Sequence, residues 1–292
     1  MLKSNKPTFS GHDTFSCRTL WLKKGYDFVI NNGSFNSPES VIVLGVGKNM
    51  VTSIRYWMRA FNILDSNDEL TEFAHLLLAD EGWDPYLEDE ASLWLLHYQL
   101  VKNEHATAYS LIFNELRKTK IEFTKEHFVK FVLSKYDGVP AFKNTENTVG
   151  DDFNAVVKMY LNDASSKEKE ETIGGIMTEL NLINCIPRDK KTFYVIEDTE
   201  KGNIPAEVCY YALAENEEYG QSISLQTVAT NHNSIGAIFA MNQTGIINKL
   251  ESLMDKYPNN LVFKDDAGIK EIQFKIGKPA PFSILDYYYY AK

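Results

Sequence analysis

Cysteine is scarce in this sequence, and its positions exclude two kinds of site. The 292 residues include three cysteines, Cys17, Cys185 and Cys209, which lie far apart. No Cys-x-x-Cys pair and no Cys/His spacing typical of zinc occurs. An odd and dispersed set gives no disulfide framework either, so we expect reduced thiols in a reducing compartment.

Long hydrophobic runs are also missing. No stretch approaches the roughly 18 apolar residues of a membrane-spanning helix. Residues 1–7 contain nothing like the apolar core of a signal peptide. We therefore expect a cytoplasmic protein without membrane association.

Residues 61–100 contain no lysine or arginine, and this absence divides the charge along the chain. They hold ten acidic residues, whereas residues 1–60 hold eight basic and three acidic ones. The net charge of −10 argues against non-specific coating of nucleic acid. The basic segment could approach phosphate and the acidic segment could dock a basic partner. Two ordinary solvated faces are the alternative.

Length and pattern predict two or three domains and a mainly α fold with small β wings, of the α+β class. We place a winged helix-turn-helix domain at 1–85, a helical and winged-helix-like domain at 86–201, and an α+β domain at 202–292. Hydrophobic periodicity and capping residues predict helices at 18–31, 48–61, 91–101, 106–118, 125–135, 152–161, 172–182, 207–215 and 245–256, with a short helix ending at Leu44. Strands are predicted at 73–78, 192–196, 261–263 and 270–276, and a loop at 137–150.

The helix at 48–61 has three stripes. Val51, Ile54, Met58 and Phe61 share one apolar face, which Met50 and Trp57 widen. The two other stripes are polar, and their members are Lys48, Thr52, Arg55 and Arg59 on one, and Asn49, Ser53 and Tyr56 on the other. Gly45-Val46-Gly47 before it supplies the sharp turn of a helix-turn-helix.

This pattern predicts DNA binding, because helix-turn-helix proteins place the N-terminal part of the second helix on base edges. The candidate base-edge residues are Lys48, Asn49, Thr52 and Ser53, and the candidates for phosphate or base are Arg55, Tyr56 and Arg59. Arg18, Lys23 and Lys24 add candidates for phosphate. A structural helical turn with a solvated basic stripe is the alternative. The segment is not a phosphate loop, since Asn49 stands where that motif needs a hydroxyl.

His12 and Asp13 form the most suggestive small cluster. A histidine beside an aspartate could act as a base or a metal ligand. Backbone hydrolysis would make Mg²⁺ the expected metal, with its ligands unknown. The alternative is that both residues cap the first helix and tie down the N-terminal segment.

Two C-terminal features are weaker. Asp265, Asp266 and Glu271 have a faint likeness to a metal-dependent nuclease pattern, but Gln273 replaces its lysine. A polar turn before a strand is the alternative. Residues 287–290 are four tyrosines, which we expect to dock on the body of the protein or on a partner.

Several segments together resemble one bacterial family. They are 9–15, 17–18, 21–26, 44–51, 53–57 and 93–100, and a looser likeness extends through 239–242 and 266–269. By these segments, the sequence is identified as a member of the SspB-like family, which occurs in DNA phosphorothioate-modification and phage-defence loci. The family was long catalogued as a domain of unknown function. The resemblance implies DNA handling beside a sulfur-transfer enzyme (PAPS-reductase-like) and an ATPase, and its described member nicks DNA. It carries over no active site.

Three hypotheses follow. The chain nicks double-stranded DNA so that sulfur can be installed, or it is a non-catalytic adaptor that recruits modification enzymes to a DNA sequence. In the third, it is a scaffold whose acidic segment docks a basic partner. Monomer and homodimer both stay open.

Overall fold

Helices make up about half of the described chain. A computed structural model describes residues 7–161 and 174–291. Lys3 and Lys6 of the basic segment lie outside these ranges, as do the first two residues of the helix predicted at 172–182. No helix in the described ranges is both long enough and apolar enough to span a membrane.

Up to residue 196 the helices are α1 (Thr19–Ile30), α2 (Ser40–Leu44), α3 (Lys48–Ala60), α4 (Glu72–Leu78), α5 (Glu90–Lys102), α6 (Thr107–Leu111), α7 (Arg117–Thr119), α8 (Lys125–Lys135) and α9 (Glu146–Tyr160). A π-helical segment, Ile112–Leu116, joins α6 to α7, and Thr178–Leu180 forms a 3₁₀ turn. Strands β1 (Glu122–Phe123), β2 (Asn184–Arg188) and β3 (Lys191–Val195) form an antiparallel sheet with β3 in the centre.

Beyond residue 196 the helices are α10 (Ala206–Glu215), α11 (Leu225–Thr230), α12 (Ile235–Phe239), α13 (Gln243–Lys256) and α14 (Pro281–Tyr290). Strands β4 (Ser222–Ser224), β5 (Leu261–Asp266) and β6 (Ile269–Phe274) form a second antiparallel sheet with β6 in the centre. The fold is therefore α+β and mainly helical, as predicted.

The chain divides into two compact units, Met1–Ile196 and Glu197–Lys292. The first contains α1 to α9 with the sheet of β1 to β3, and the second contains α10 to α14 with the sheet of β4 to β6. The division into three domains and the winged-helix assignments stay predictions.

The predicted helices around the turn at Gly45 are confirmed. Gly45 has φ +64°, a left-handed conformation that glycine adopts without steric cost, and it ends α2. Helix α3 then buries Val51, Ile54 and Met58 along one face. Because Phe61 is also fully buried, the apolar stripe predicted for this helix is correct over its whole length.

The strand predicted at 73–78 is wrong, because this segment is helix α4. The Thr71 hydroxyl accepts a hydrogen bond from the Ala74 amide at 3.1 Å and caps the helix. Its buried residues, Phe73, Ala74, Leu77 and Leu78, recur at helical spacing. A short apolar run does not distinguish helix from strand, and the cap decides here.

Two other boundaries differ. Helix α9 begins at Glu146, inside the predicted loop, because the Thr145 side chain caps it. The α-helix predicted at 172–182 is wrong over its described part, where residues 174–177 are not helical and Thr178–Leu180 forms only a 3₁₀ turn. The Gly175 and Met177 amides donate instead to the carbonyls of Lys158 and Met159, at 3.1 and 3.2 Å. Tertiary hydrogen bonds to the end of α9 replace those that a helix would make.

Strand β2 was not predicted, because Pro187 interrupts its pattern. The order β1-β3-β2 places β2 at the edge of the sheet. An edge strand tolerates proline, since one side of its backbone has no partner to bond. The four tyrosines at 287–290 belong to helix α14, and Tyr287 packs against Tyr257 with ring centroids 5.8 Å apart.

Much of the acidic segment at 61–100 is built into the fold. The buried Asp84 carboxylate accepts hydrogen bonds from the Glu88 and Asp89 amides at 2.9 and 2.8 Å, and from the Ser92 hydroxyl at 2.7 Å. Asp89 caps α5. The expectation of a free acidic docking face is therefore wrong for Asp84 and Asp89, whose charges satisfy backbone amides.

We predict that Asp84→Ala lowers the free energy of unfolding by about 1–3 kcal/mol or more, because it leaves buried donors without an acceptor. Urea unfolding followed by circular dichroism measures the change. Glu88→Gln, on a neighbouring exposed side chain, is the matched control and should leave stability within about 0.5 kcal/mol. Equal stabilities of the two variants would contradict a structural role for Asp84.

Candidate nucleic-acid interface

The N-terminal half of α3 presents an exposed polar surface. Lys48, Asn49 and Thr52 are all exposed. The N-cap is Gly47, which offers no side chain to the first-turn amides, and the first turn contains no acidic residue. This end of α3 therefore combines free backbone donors, the positive end of the helix dipole and a lysine.

Ser53 and Tyr56 do not belong to this surface. The side chain of Ser53 is fully buried and its hydroxyl contacts the His12 carbonyl oxygen at 2.7 Å. Tyr56 is 6% exposed and packs edge-on against the His12 ring. The expectation that these two residues face a DNA groove is wrong, because a second packing surface covers the part of their stripe that follows the exposed Asn49.

Arg55 and Arg59 share one carboxylate. Asp68 accepts hydrogen bonds from Nε of Arg55 at 3.1 Å and from Nε of Arg59 at 2.9 Å, and each guanidinium also forms an ion pair with it. Arg55 further donates to the Asn36 side chain at 3.1 Å. Both side chains remain about a quarter exposed. One negative charge thus offsets part of the two positive ones, and the arginines fix the turn that carries Asp68.

The three basic residues of α1 and its start differ in their surroundings. Lys23 is buried, and its Nζ binds Asp27 at 2.8 Å and Asp80 at 2.7 Å. Burial alone would lower the pKa of Lys23, but these two carboxylates outweigh it and raise the pKa. Lys23 is therefore a structural cation, and its prediction as a phosphate contact is wrong. Lys24 is exposed, and Arg18 lies over the Trp21 ring.

The chain before α1, residues 7–17, forms what we call the N-terminal arm. Its Ser10 amide donates to the Asp152 carboxylate of α9 at 2.7 Å, and its Phe15 carbonyl accepts from the Trp57 indole at 3.0 Å. Gly11 is required where the arm passes α3, because a Cβ there would collide with the Tyr56 ring. The arm therefore joins α3 to α9.

His12 is the buried centre of this arrangement. Its side chain is 1% exposed, and its Nε2 lies 3.3 Å from Oδ1 of Asp152. The contact has ion-pair distance but is not aligned as a hydrogen bond, and neither ring nitrogen has another hydrogen-bond partner among the described residues. The ring stacks on Trp57 with centroids 5.6 Å apart. A base for an exposed phosphate needs access that this side chain lacks.

Asp13 does not share the buried surroundings of His12. It is exposed, and its backbone is left-handed at φ +44°. The N-cap residue of α1 is Arg18, without a side-chain cap, so His12 and Asp13 do not cap that helix. The prediction that the N-terminal segment is tied down is confirmed for His12. The pairing of His12 with Asp13 in one catalytic site is wrong, since one side chain is buried and the other is in solvent.

A cleft of about 400 Å³ lies next to the arm and was not predicted. Thr14, helix α9 and strands β2 and β3 line it. The polar side chains on its α9 side are Asp151, Asn154 and Lys158, at spacing i, i+3 and i+7. This polar stripe is visible in the sequence, but only the fold shows that it faces a concave surface.

The C-terminal acidic residues lie on the β5–β6 hairpin. Asp265 pairs with Lys270 at 3.4 Å, and the Glu271 carboxylate accepts from the Ser222 hydroxyl at 2.9 Å. Asp266 directly precedes the Ala267-Gly268 turn. Across residues 7–161 and 174–291, no group of three or more His, Cys, Asp and Glu side chains could hold a metal ion. The alternative of a polar turn before a strand fits this hairpin.

Comparison with known proteins identifies the family. The family described as protein of unknown function (DUF4007) matches residues 9–289. The chain belongs to the DUF4007 family. Two solved structures, one of SspB and one of magnesium ion-bound SspB, are similar to it with a TM-score of 0.85 and 26% sequence identity. Each comparison covers 97% of this chain and 88% of the other. A search of curated proteins found no match.

These matches confirm the SspB-like resemblance that the sequence motifs indicated. The family match covers both units of the DUF4007 chain, and so does the similarity to the SspB structures. The arm, α3 and α9 therefore lie within the region that these proteins share.

We predict that Asp152 makes stability depend on pH. Burial raises the pKa of this carboxyl above its ordinary range, although contacts with His12 and Ser10 oppose the shift. The folded state then binds the proton more tightly than the unfolded state. The stability that this group contributes is greatest below the ordinary aspartate range and is lost as pH rises through the raised pKa.

Urea unfolding of the wild type and of Asp152→Asn, from about pH 4 to pH 8, tests this linkage. The unfolding free energy of the wild type should fall relative to that of the variant as pH rises. Asp151→Asn, on the neighbouring half-exposed carboxylate, is the control and should run closer to the wild type. Parallel profiles for the wild type and Asp152→Asn would show that Asp152 does not carry the effect.

Proposed function

We propose that this chain is a DNA-binding component of a phosphorothioate DNA-modification and phage-defence system. The observation that carries the DNA-binding part is the exposed N-terminal half of α3, which follows the left-handed turn at Gly45. The association with phosphorothioation rests on similarity to SspB and on the DUF4007 family. We extend the proposal to a sulfur-transfer enzyme and an ATPase of the same locus as partners.

The α3 surface suits double-stranded DNA for a physical reason. The N-terminus of a helix attracts phosphate through its free amides and dipole, and Lys48 adds a full positive charge there. Asn49 and Thr52, both exposed, carry groups that hydrogen-bond to base edges in the major groove. The buried face of α3 fixes the helix while this face stays free.

Arg55 and Arg59 would take a secondary part. Phosphate could compete with Asp68 for their outward donors, but the carboxylate already offsets part of their charge. Replacing them would also release the Asp68 turn. Lys48 is therefore the cleaner residue to test.

We predict that Lys48→Ala weakens DNA binding and lowers the log–log salt slope by about one, because it removes one phosphate contact. Asn49→Ala should relax sequence preference by roughly 1–3 kcal/mol. Binding is measured by fluorescence anisotropy of labelled duplexes across a salt series. Lys130→Ala on α8, another exposed lysine, is the matched control. An unchanged slope in the folded Lys48→Ala protein would remove α3 from the interface.

DNA nicking is a second candidate function, favoured by the magnesium ion in the similar SspB structure. Of the two residues proposed as catalytic, Asp13 alone is accessible. A carboxylate oxygen is a ligand that Mg²⁺ accepts, and such sites are completed by substrate phosphate and water. Bound magnesium would supply charge stabilisation and an activated water. Asp13 would then hold the ion beside the scissile phosphate, and the adaptor function is what remains if it does not.

We predict that Asp13→Asn lowers the rate of nicking by about 10²-fold or more, while DNA affinity changes by less than about tenfold. Asparagine tolerates the left-handed backbone at this position, so the change removes charge and spares the fold. Plasmid relaxation is measured with Mg²⁺, with Mn²⁺ and with EDTA. Asp189→Asn is matched to it, since Asp189 is also exposed and left-handed at φ +45°. Full nicking by Asp13→Asn would leave the adaptor function as the proposal.

A further inference from the structure

The cleft beside the N-terminal arm has the features of a small-ligand site. One wall is α9, with Asp151, Asn154 and Lys158 in a stripe and Val157 and Leu161 beside it. The other wall is the sheet, with Thr192 and Tyr194 on β3 and Cys185 on β2. The volume of about 400 Å³ lies within the range of small-molecule pockets.

The polar side chains of this cleft are not engaged within the protein. Thr14, Asp151, Asn154, Lys158 and Thr192 make no side-chain hydrogen bond or ion pair with any described residue. In the acidic segment, by contrast, Asp68 and Asp84 are bound to neighbouring groups. The cleft therefore gathers a carboxylate, an amide, an ammonium and two hydroxyls that are free to bind a ligand.

The sheet wall supplies an aromatic surface. Cys185 and Tyr194 are cross-strand partners, so their side chains lie on one face of the sheet. The Tyr194 ring packs edge-on against Phe153, with ring centroids 5.2 Å apart, and its cross-strand neighbour Phe123 lies beside it at 6.4 Å. An anchored ring of this kind offers its remaining surface to a planar ligand at little cost in side-chain entropy.

We propose that this cleft binds a nucleotide that carries an exocyclic amino group. The base would pack between Tyr194 and Val157. Its amino group would donate to Asp151, and the Asn154 amide would pair with the adjoining ring edge. The phosphate would contact Lys158. A nucleotide combines a flat ring, a donor–acceptor edge and an anion, and the cleft supplies a partner for each.

The same chemistry has two sources. One source is a free mononucleotide, which carries the ring, the base edge and the phosphate by itself. The other is a nucleotide flipped out of a DNA strand while the rest of the strand remains bound. The second source rests on the proposed function, whereas the first does not. Thr14 connects the cleft to the arm, and the arm contacts α3, so both surfaces lie on one unit of the protein.

Cys185 makes the test direct. It is the one exposed cysteine of the three, while Cys17 and Cys209 are buried. Burial raises the pKa of Cys209 to about 12 and also raises the pKa of the Cys17 thiol, so neither is a good nucleophile in the folded protein. A neutral reagent such as iodoacetamide should therefore modify one thiol of the native chain, and Cys185→Ser should abolish that reaction.

The experiment measures the rate of Cys185 alkylation by mass spectrometry with AMP, CMP or UMP, and with single-stranded and duplex oligonucleotides. We expect AMP or CMP, or an oligonucleotide that contains their bases, to slow alkylation by about tenfold at saturation, because a ligand in the cleft shields the thiolate from the reagent. UMP lacks the amino group and should protect less. Lys158→Ala and Asn154→Ala, both on exposed side chains, should remove the protection without loss of helical signal. Lys130→Ala is the matched control and should keep it.

Each outcome decides the proposal. Protection by AMP or CMP that depends on Lys158 supports the site and identifies a free nucleotide as a ligand. Protection by oligonucleotides alone, with the same dependence, supports it with DNA as the source. If neither protects, or if Lys158→Ala and Asn154→Ala keep full protection, the proposal is overturned. Duplex binding by the wild type and by Lys48→Ala is measured in parallel. The DNA-binding proposal and the nucleotide-site proposal are therefore tested by separate results.

Discussion

The buried contact between His12 and Asp152 is the interaction on which the first unit most depends. It joins the N-terminal arm to α9, while the His12 carbonyl contacts Ser53 and the ring stacks on Trp57 of α3. The arm thus sets the position of α3 relative to α9, and this buried imidazole contacts both helices. Such a contact costs desolvation, and removing either partner would leave an uncompensated polar group in the core. The geometry of the exposed α3 surface follows from this arrangement.

The charge that this protein presents to its surroundings depends more on which charged side chains are paired internally than on which segment of the chain they belong to. The basic stripe of α3 divides into Lys48, which is exposed and has no acidic neighbour in its own turn of the helix, and the arginine pair held by Asp68. Lys23 is neutralised by two carboxylates. In the acidic segment, Asp84 binds backbone amides. The electrostatic field that a polyanion meets therefore comes from charged groups that have no internal partner. At the N-terminal end of α3, the positive charge of Lys48 is such a group among the described residues.

The arm also relates the two candidate surfaces of the first unit. One side of it is covered by α3, and Thr14 borders the cleft between α9 and the sheet. Within three residues the arm passes from the buried His12 through the exposed Asp13 to the lining of that cleft, and residues 13 and 14 both have left-handed backbones. A short segment with this alternation gives one surface for a helix to pack on and another that a ligand can reach.

The sequence by itself determined the local elements. The period of Val51, Ile54 and Met58 predicted α3, the cap at Thr124 predicted α8, and glycine at position 45 predicted the turn between α2 and α3. Tertiary structure alone decided that Ser53, Tyr56 and His12 lie inside, that Asp68 and Asp84 are engaged, and that the α9 stripe lines a cleft. Helical periodicity describes one packed face, whereas α3 is covered on two sides because the distant arm packs against Ser53 and Tyr56. Which polar groups are buried depends on such contacts between residues far apart in the chain, and no local pattern encodes them.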